Sequence, residues 1–115
     1  ACGRMVYEAL QAAEILSKEG LKVRVLDMHT IKPLDGQAVL KAARETGGII
    51  TIEEHNIVGG LGSAVTELAS AECPVKAMRL GIQDDFGVPG SQEDLMKHFG
   101  LTADSIAAQA RKFIK

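Results

Sequence analysis

The chain is predicted to fold as an α/β domain in which helices cover both faces of a mostly parallel sheet, and three observations lead there. Segments with helical spacing of apolar residues alternate with short β-branched runs along the whole length. The run Ile49-Ile50-Thr51-Ile52 is almost continuously β-branched, as expected of a strand shielded on both faces rather than one. Polar and glycine-rich residues gather where each predicted strand ends, which is where open α/β sheets place their loops and ligands.

Taken in order, the apolar positions from Val6 through Ala9, Leu10, Ala13 and Leu16 predict a first helix that stops at Gly20, a residue suited to the left-handed conformation just past a helix. Val23, Val25 and Leu26 predict a strand with Asp27, Met28 and His29 at its end. Asp35 is placed to cap a second helix carrying Val39, Leu40, Ala42 and Ala43, which ends at Gly47-Gly48. A central strand over Ile49 to Ile52 is followed by Glu53-Glu54-His55-Asn56 and by Gly59-Gly60-Leu61-Gly62-Ser63, the lead into a third helix with Ala64, Val65, Leu68 and Ala69. Val75 to Leu80 predicts a further strand, closed by Gly81. Residues 83–90 have the composition of an ordered loop. Ser91 and Asp94 read as a capping box for a short helix stopped at Gly100. Thr102 caps a last helix with an apolar stripe of Ile106, Ala107, Ala110, Phe113 and Ile114.

The 115 residues suit one domain, 1–115, with no repeat or linker dividing them. Because the first helix follows Ala1-Cys2-Gly3 with no strand ahead of it to bury its apolar face, an upstream strand is expected to be missing. The formal net charge of -2 argues against nucleic acid and membrane surfaces as partners. Two cysteines without a CxxC spacing fit free thiols in a reducing compartment, and no apolar run marks a signal peptide or membrane span, so the expected location is cytoplasmic.

Two groups of residues invite a chemical reading. Gly59, Gly60, Gly62 and Ser63 stand before a helix whose first amides could hold an anion, although the spacing matches neither GxGxxG nor a GKS/GKT loop. The plainer reading gives those glycines to a tight turn and close helix–sheet packing, and it is preferred. Asp27 and His29 could share a crevice with Glu54 and His55 across neighbouring strand ends. Successive strand residues point to opposite faces, so Glu53, Glu54 and His55 converge only if the strand stops at Glu53. Polar loop contacts and an interdomain surface are the preferred reading there, with no metal site assigned. His98, beside Phe99, reads as a surface residue.

The stretches Thr30-Ile31-Lys32-Pro33-Leu34-Asp35, Thr51-Ile52-Glu53-Glu54-His55, Gly59-Gly60-Leu61-Gly62-Ser63-Ala64-Val65 and Phe99-Gly100-Leu101-Thr102 resemble the C-terminal domain of the transketolase superfamily in order and spacing. The resemblance covers essentially the whole chain and is nearest to transketolases and the separate C-terminal subunits of split forms. It implies a three-layer α/β/α sandwich with a mixed sheet. It also implies that thiamine diphosphate and magnesium are held by two preceding domains of a dimer, so this domain holds neither cofactor and carries no catalytic residue. The implied role is packing and subunit association in a transferase moving a two-carbon ketol unit between sugar phosphates, as in the pentose phosphate pathway. The alternatives are an independent anion-binding regulatory module, or the corresponding domain of a deoxyxylulose-phosphate synthase or a 2-oxo-acid dehydrogenase β subunit.

Overall fold

The computed structural model describes residues 1–28, 34–56, 60–82 and 96–114, with the side chains of His55 and Asn56 outside that description. The order is α1 (Met5–Ser17), α2 (Gly36–Glu45), β1 (Gly48–Asn56), α3 (Leu61–Glu72), β2 (Lys76–Ile82) and α4 (Ala103–Ile114). β1 and β2 pair in parallel, Gly48 opposite Lys76 through Ile52 opposite Leu80, with an irregularity before Asn56 meets Ile82.

Side chains along β1 alternate between two layers, as a period of two requires. Ile50 and Ile52 face a core shared with Met5, Ala9, Leu16, Leu101 and Ala107 of the α1/α4 layer. Ile49 faces the other layer, packing with Val39, Leu61 and Val65 of α2 and α3. The three-layer α/β/α arrangement predicted from the sequence is therefore present.

Local determinants account for several helix ends. The Asp35 carboxylate accepts from the Ala38 amide at 3.1 Å, capping α2 as predicted. Thr102 Oγ1 accepts from the Ser105 amide at 3.3 Å, and Gly20 and Gly100 have φ of +81° and +71°. Other ends depend on distant residues. The Ala103 amide at the start of α4 donates to Glu8 of α1 at 2.9 Å. Arg111 of α4 donates twice to the Glu19 carboxylate, each bond 2.7 Å long.

Several expectations are corrected. The buried stripe of α1 is Met5, Ala9, Ala12 and Leu16, whereas Leu10 is 53% exposed, because α4 covers a face rotated from the one predicted. Ile114, likewise placed on the α4 stripe, is exposed. β1 runs on through Asn56 rather than ending at Ile52, and β2 includes Gly81. Residues 21–28, expected to contain a strand at Val23 to Leu26, have no ladder to β1. A strand exists by pairing, and among the described residues this segment pairs across to Ala1 alone. The predicted loop at 83–90 and the Ser91/Asp94 box lie outside the described residues.

Thr51 is buried beneath α3, and its Oγ1 has no hydrogen-bond partner among the described residues. Thr51→Val keeps the shape and removes the unsatisfied hydroxyl. Urea unfolding should show this variant stabilised by about 1 kcal/mol, with an unchanged m-value.

Candidate functional site

The carboxyl end of β1 brings together the start of α1, the end of the 21–28 segment and the first turn of α3. Its central group is Glu53, whose side chain is fully buried. Glu53 follows Thr51 on the odd face of β1 and so points at α3. Its Oε1 accepts from the Leu61 amide at 2.9 Å, and its Oε2 accepts from the Gly62 amide at 2.7 Å. Two of the amides that a helix leaves unsatisfied at its start are thus held by a carboxylate, which also complements the positive end of the helix dipole.

The glycines make this approach possible. Gly60 is the N-cap of α3, with φ -98° and ψ -151°, and offers no capping side chain. At Gly62 an added Cβ would lie 2.8 Å from Thr51 Oγ1 and 2.9 Å from both Cγ and Cδ of Arg79. A side chain there would push α3 off the sheet. Gly62 therefore serves the close helix–sheet packing preferred from the sequence. Ser63 lies in the first turn of α3 and is half-buried, and its Oγ is not what caps the helix.

Glu54 points to the other side of β1 from Glu53. Its carboxylate is 4.0 Å from Arg4, a partly exposed ion pair of small energetic weight. Asp27 is exposed, yet close enough to the Ala1 ammonium and Cys2 to act on both electrostatically. The structure thus assembles Asp27, Cys2, Glu53 and Glu54 around one strand end. The backbone of His55 belongs to β1, while its ring, together with His29 and Gly59, lies outside the described residues. Glu53 is the important residue that the sequence reading left out of its candidate site. The signal for it is its odd-face parity with Ile49 and Thr51, eight residues ahead of a helix start whose N-cap has no capping side chain.

The described residues do not fit a phosphate or diphosphate group at α3. Its leading amides are already bonded to Glu53, and a second anion there would face that buried carboxylate. Among the described residues, no cluster of three or more His, Cys, Asp or Glu side chains is disposed to hold a metal.

Comparison with known proteins agrees with this architecture. The family described as "Transketolase, C-terminal domain" matches residues 1–106. The chain belongs to the transketolase C-terminal domain family. It is 46% identical over 112 residues to a 6-deoxy-6-sulfo-D-fructose transketolase subunit of Clostridium sp. (strain MSTE9), covering 97% of this chain and 35% of that protein. It is 46% identical over 115 residues to an apulose-4-phosphate transketolase subunit of Phocaeicola vulgatus, covering 100% of this chain and 36% of the relative. The 1-deoxy-D-xylulose-5-phosphate synthase of Heliobacterium modesticaldum is 44% identical and is matched over 18% of its length. A solved split-gene transketolase, described as an inactive beta4 tetramer, superposes with a TM-score of 0.90 at 41% identity, covering 96% of this chain and 36% of that one. The chain thus spans about a third of the length of these transketolase relatives.

The electrostatics of this strand end can be tested in two ways. Glu53→Gln retains the shape but offers an NH2 group to a backbone donor, so it should destabilise the domain by about 1–3 kcal/mol in urea unfolding, and Glu53→Ala by more. The second test concerns Ala1, whose ammonium donates to the Leu26 carbonyl at 3.0 Å. Burial pushes its pKa below the ordinary 8.0, with Cys2, Asp27 and Glu53 opposing the shift. Between the lowered pKa and 8.0 the folded state binds fewer protons than the unfolded state, so stability rises with pH across that window. Acetylating the N-terminus should abolish this slope, measured as the difference between acetylated and free protein over about pH 6 to 8.5. Burial, with Glu53 second, pushes the Cys2 thiol above its ordinary 9.0, so its contribution to stability falls away at higher pH, above that value.

Proposed function

We propose that this chain is the C-terminal, subunit-associating part of a thiamine-diphosphate-dependent transketolase-type enzyme that moves a two-carbon ketol unit between sugar phosphates or related sugar derivatives. The observation that carries the reading is 46% identity, over essentially the whole chain, to proteins described as transketolase subunits. On this reading thiamine diphosphate and magnesium are bound by other domains, and the cofactor supplies the electron sink for carbon–carbon cleavage. This chain contributes a rigid α/β wall against those domains and helps assemble the working dimer. The Glu53 carboxylate at the start of α3 supports a structural role over the alternative of an anion-sensing module.

The two subunit relatives are described by 6-deoxy-6-sulfo-D-fructose and apulose-4-phosphate, so the substrate class extends beyond the pentose phosphate pathway. The free thiols of Cys2 and Cys73 favour the reducing cytoplasm as its location. The likeness to deoxyxylulose-phosphate synthase supports a second reading, the same supporting role in that enzyme.

The test is complementation. The chain is mixed with a transketolase lacking its own C-terminal domain, and separately with a similarly shortened deoxyxylulose-phosphate synthase. Molecular mass and turnover are followed against concentration. A stoichiometric complex with raised ketol transfer is expected for the first mixture. No complex and no change in stability or activity in either mixture would overturn the proposal, and complementation of the synthase alone would select the second reading.

A further inference from the structure

The amino end of the two strands, away from Glu53, is assembled from segments far apart in the chain. α4 finishes there, with the Phe113 ring close over Gly48 at the start of β1 and the Phe113 carbonyl accepting from Lys76 Nζ, at the start of β2, at 2.7 Å. The pair of Arg111 with Glu19, 2.7 Å apart, brings the residues just past α1 to the same end. Arg24, 3.1 Å from Glu45, joins the 21–28 segment to the end of α2, which leads directly into β1.

Basic side chains dominate this rim. Glu19 and Glu45 are each taken up by an arginine, so Lys18, Lys22, Arg44 and Lys112 stand exposed with no acidic partner among the described residues. Lys76 is bonded to a neutral carbonyl, which leaves its charge unopposed as well. Glu72, at the end of α3, is the remaining carboxylate of this rim among the described residues. The other end of the strands carries Asp27, Asp35, Glu53 and Glu54, so a chain with a formal net charge of -2 is polarised along the strand direction.

Helix chemistry accounts for part of this asymmetry. Arg44, Arg111 and Lys112 lie in the last turns of α2 and α4, where cations complement the negative end of the helix dipole. Lys22, Arg24 and Lys76 lie outside the helices, and the dipole gives no reason for them. Ile114, next to Lys112, is 53% exposed and adds an apolar contact to the rim.

We propose that this basic rim is a docking surface for a compact acidic patch, with an apolar residue among its carboxylates, on a different protein. Charge complementarity selects the acid, and Ile114 selects a polypeptide over a phosphate backbone. Helices of 10 to 13 residues separate the two ends of the domain by about 15–20 Å, roughly two Debye lengths at physiological ionic strength. A compact patch on the rim is therefore screened from Asp27, Glu53 and Glu54. A nucleic acid or an anionic membrane extends beyond the rim and meets those carboxylates too. This inference goes beyond the ketol-transfer reading and does not depend on it.

The test titrates the 115-residue chain with a short acetylated and amidated peptide of Glu around a central Leu pair, followed by NMR at about 0.15 M salt. The same peptide with Gln for Glu is the control. Amide signals of Lys22, Arg44 and Lys112 should shift together and saturably, and Kd should weaken by several-fold at about 0.5 M salt. Lys22→Glu combined with Lys112→Glu should weaken Kd by about tenfold, and the milder Lys22→Gln with Lys112→Gln by about threefold. Lys97→Glu, away from the rim, should leave Kd unchanged, and unaltered melting temperatures check that the variants fold. Absence of saturable shifts at the rim, or equal binding of the Gln peptide, would overturn the proposal. Tighter binding of single-stranded DNA or phosphatidylserine vesicles than of the Glu peptide would overturn it in favour of an extended polyanion. Self-association of the chain that is lost in the Lys22→Glu, Lys112→Glu variant would also overturn it, by assigning the rim to a second copy.

Discussion

The buried carboxylate of Glu53 across the first amides of α3 is the contact on which the rest of the domain is arranged. It joins the end of β1 to the start of the next helix through two short charge-assisted bonds. Both go with an approach close enough that Gly62 has no room for a Cβ, and the N-cap, Gly60, adds no capping side chain of its own. It also decides the chemistry of this strand end. A helix start aimed at a glycine-rich turn has the form of an anion site, but here the anion is part of the protein.

The alternation of β1 carries that constraint outward. Once Glu53 points to α3, Ile49 and Thr51 belong to the α2/α3 layer, and Ile50 and Ile52 to the α1/α4 layer. Glu54, on the opposite side, is turned towards Arg4. One side-chain choice therefore settles which residues build each core layer.

A second theme is helix starts served from a distance. α2 is capped locally by Asp35, but α3 depends on Glu53, and α4 receives Glu8 from α1 in addition to Thr102. Such carboxylates join separate elements as well as satisfying helix ends, Glu53 linking the sheet to α3 and Glu8 linking α1 to α4. This suits a domain whose proposed task is to present a stable wall to other parts of an enzyme.

By itself the sequence determined the α/β class, the Asp35 and Thr102 caps, the turns at Gly20 and Gly100, the strand at Ile49 to Ile52 and the family, since each rests on local periodicity, backbone preference or motif spacing. It also made plain that Glu53, Glu54 and His55 could not all converge on an uninterrupted strand. Only the tertiary structure decided that β1 continues past Glu53, that Glu53 serves α3, and that the 21–28 segment forms no ladder with β1. It likewise decided that Met5 and Ala12, not Leu10 and Ala13, belong to the fully buried stripe of α1. The physical reason is that pairing partners, helix rotation and distant caps arise from contacts between residues far apart in the chain, and local propensity carries no information about which of those contacts form.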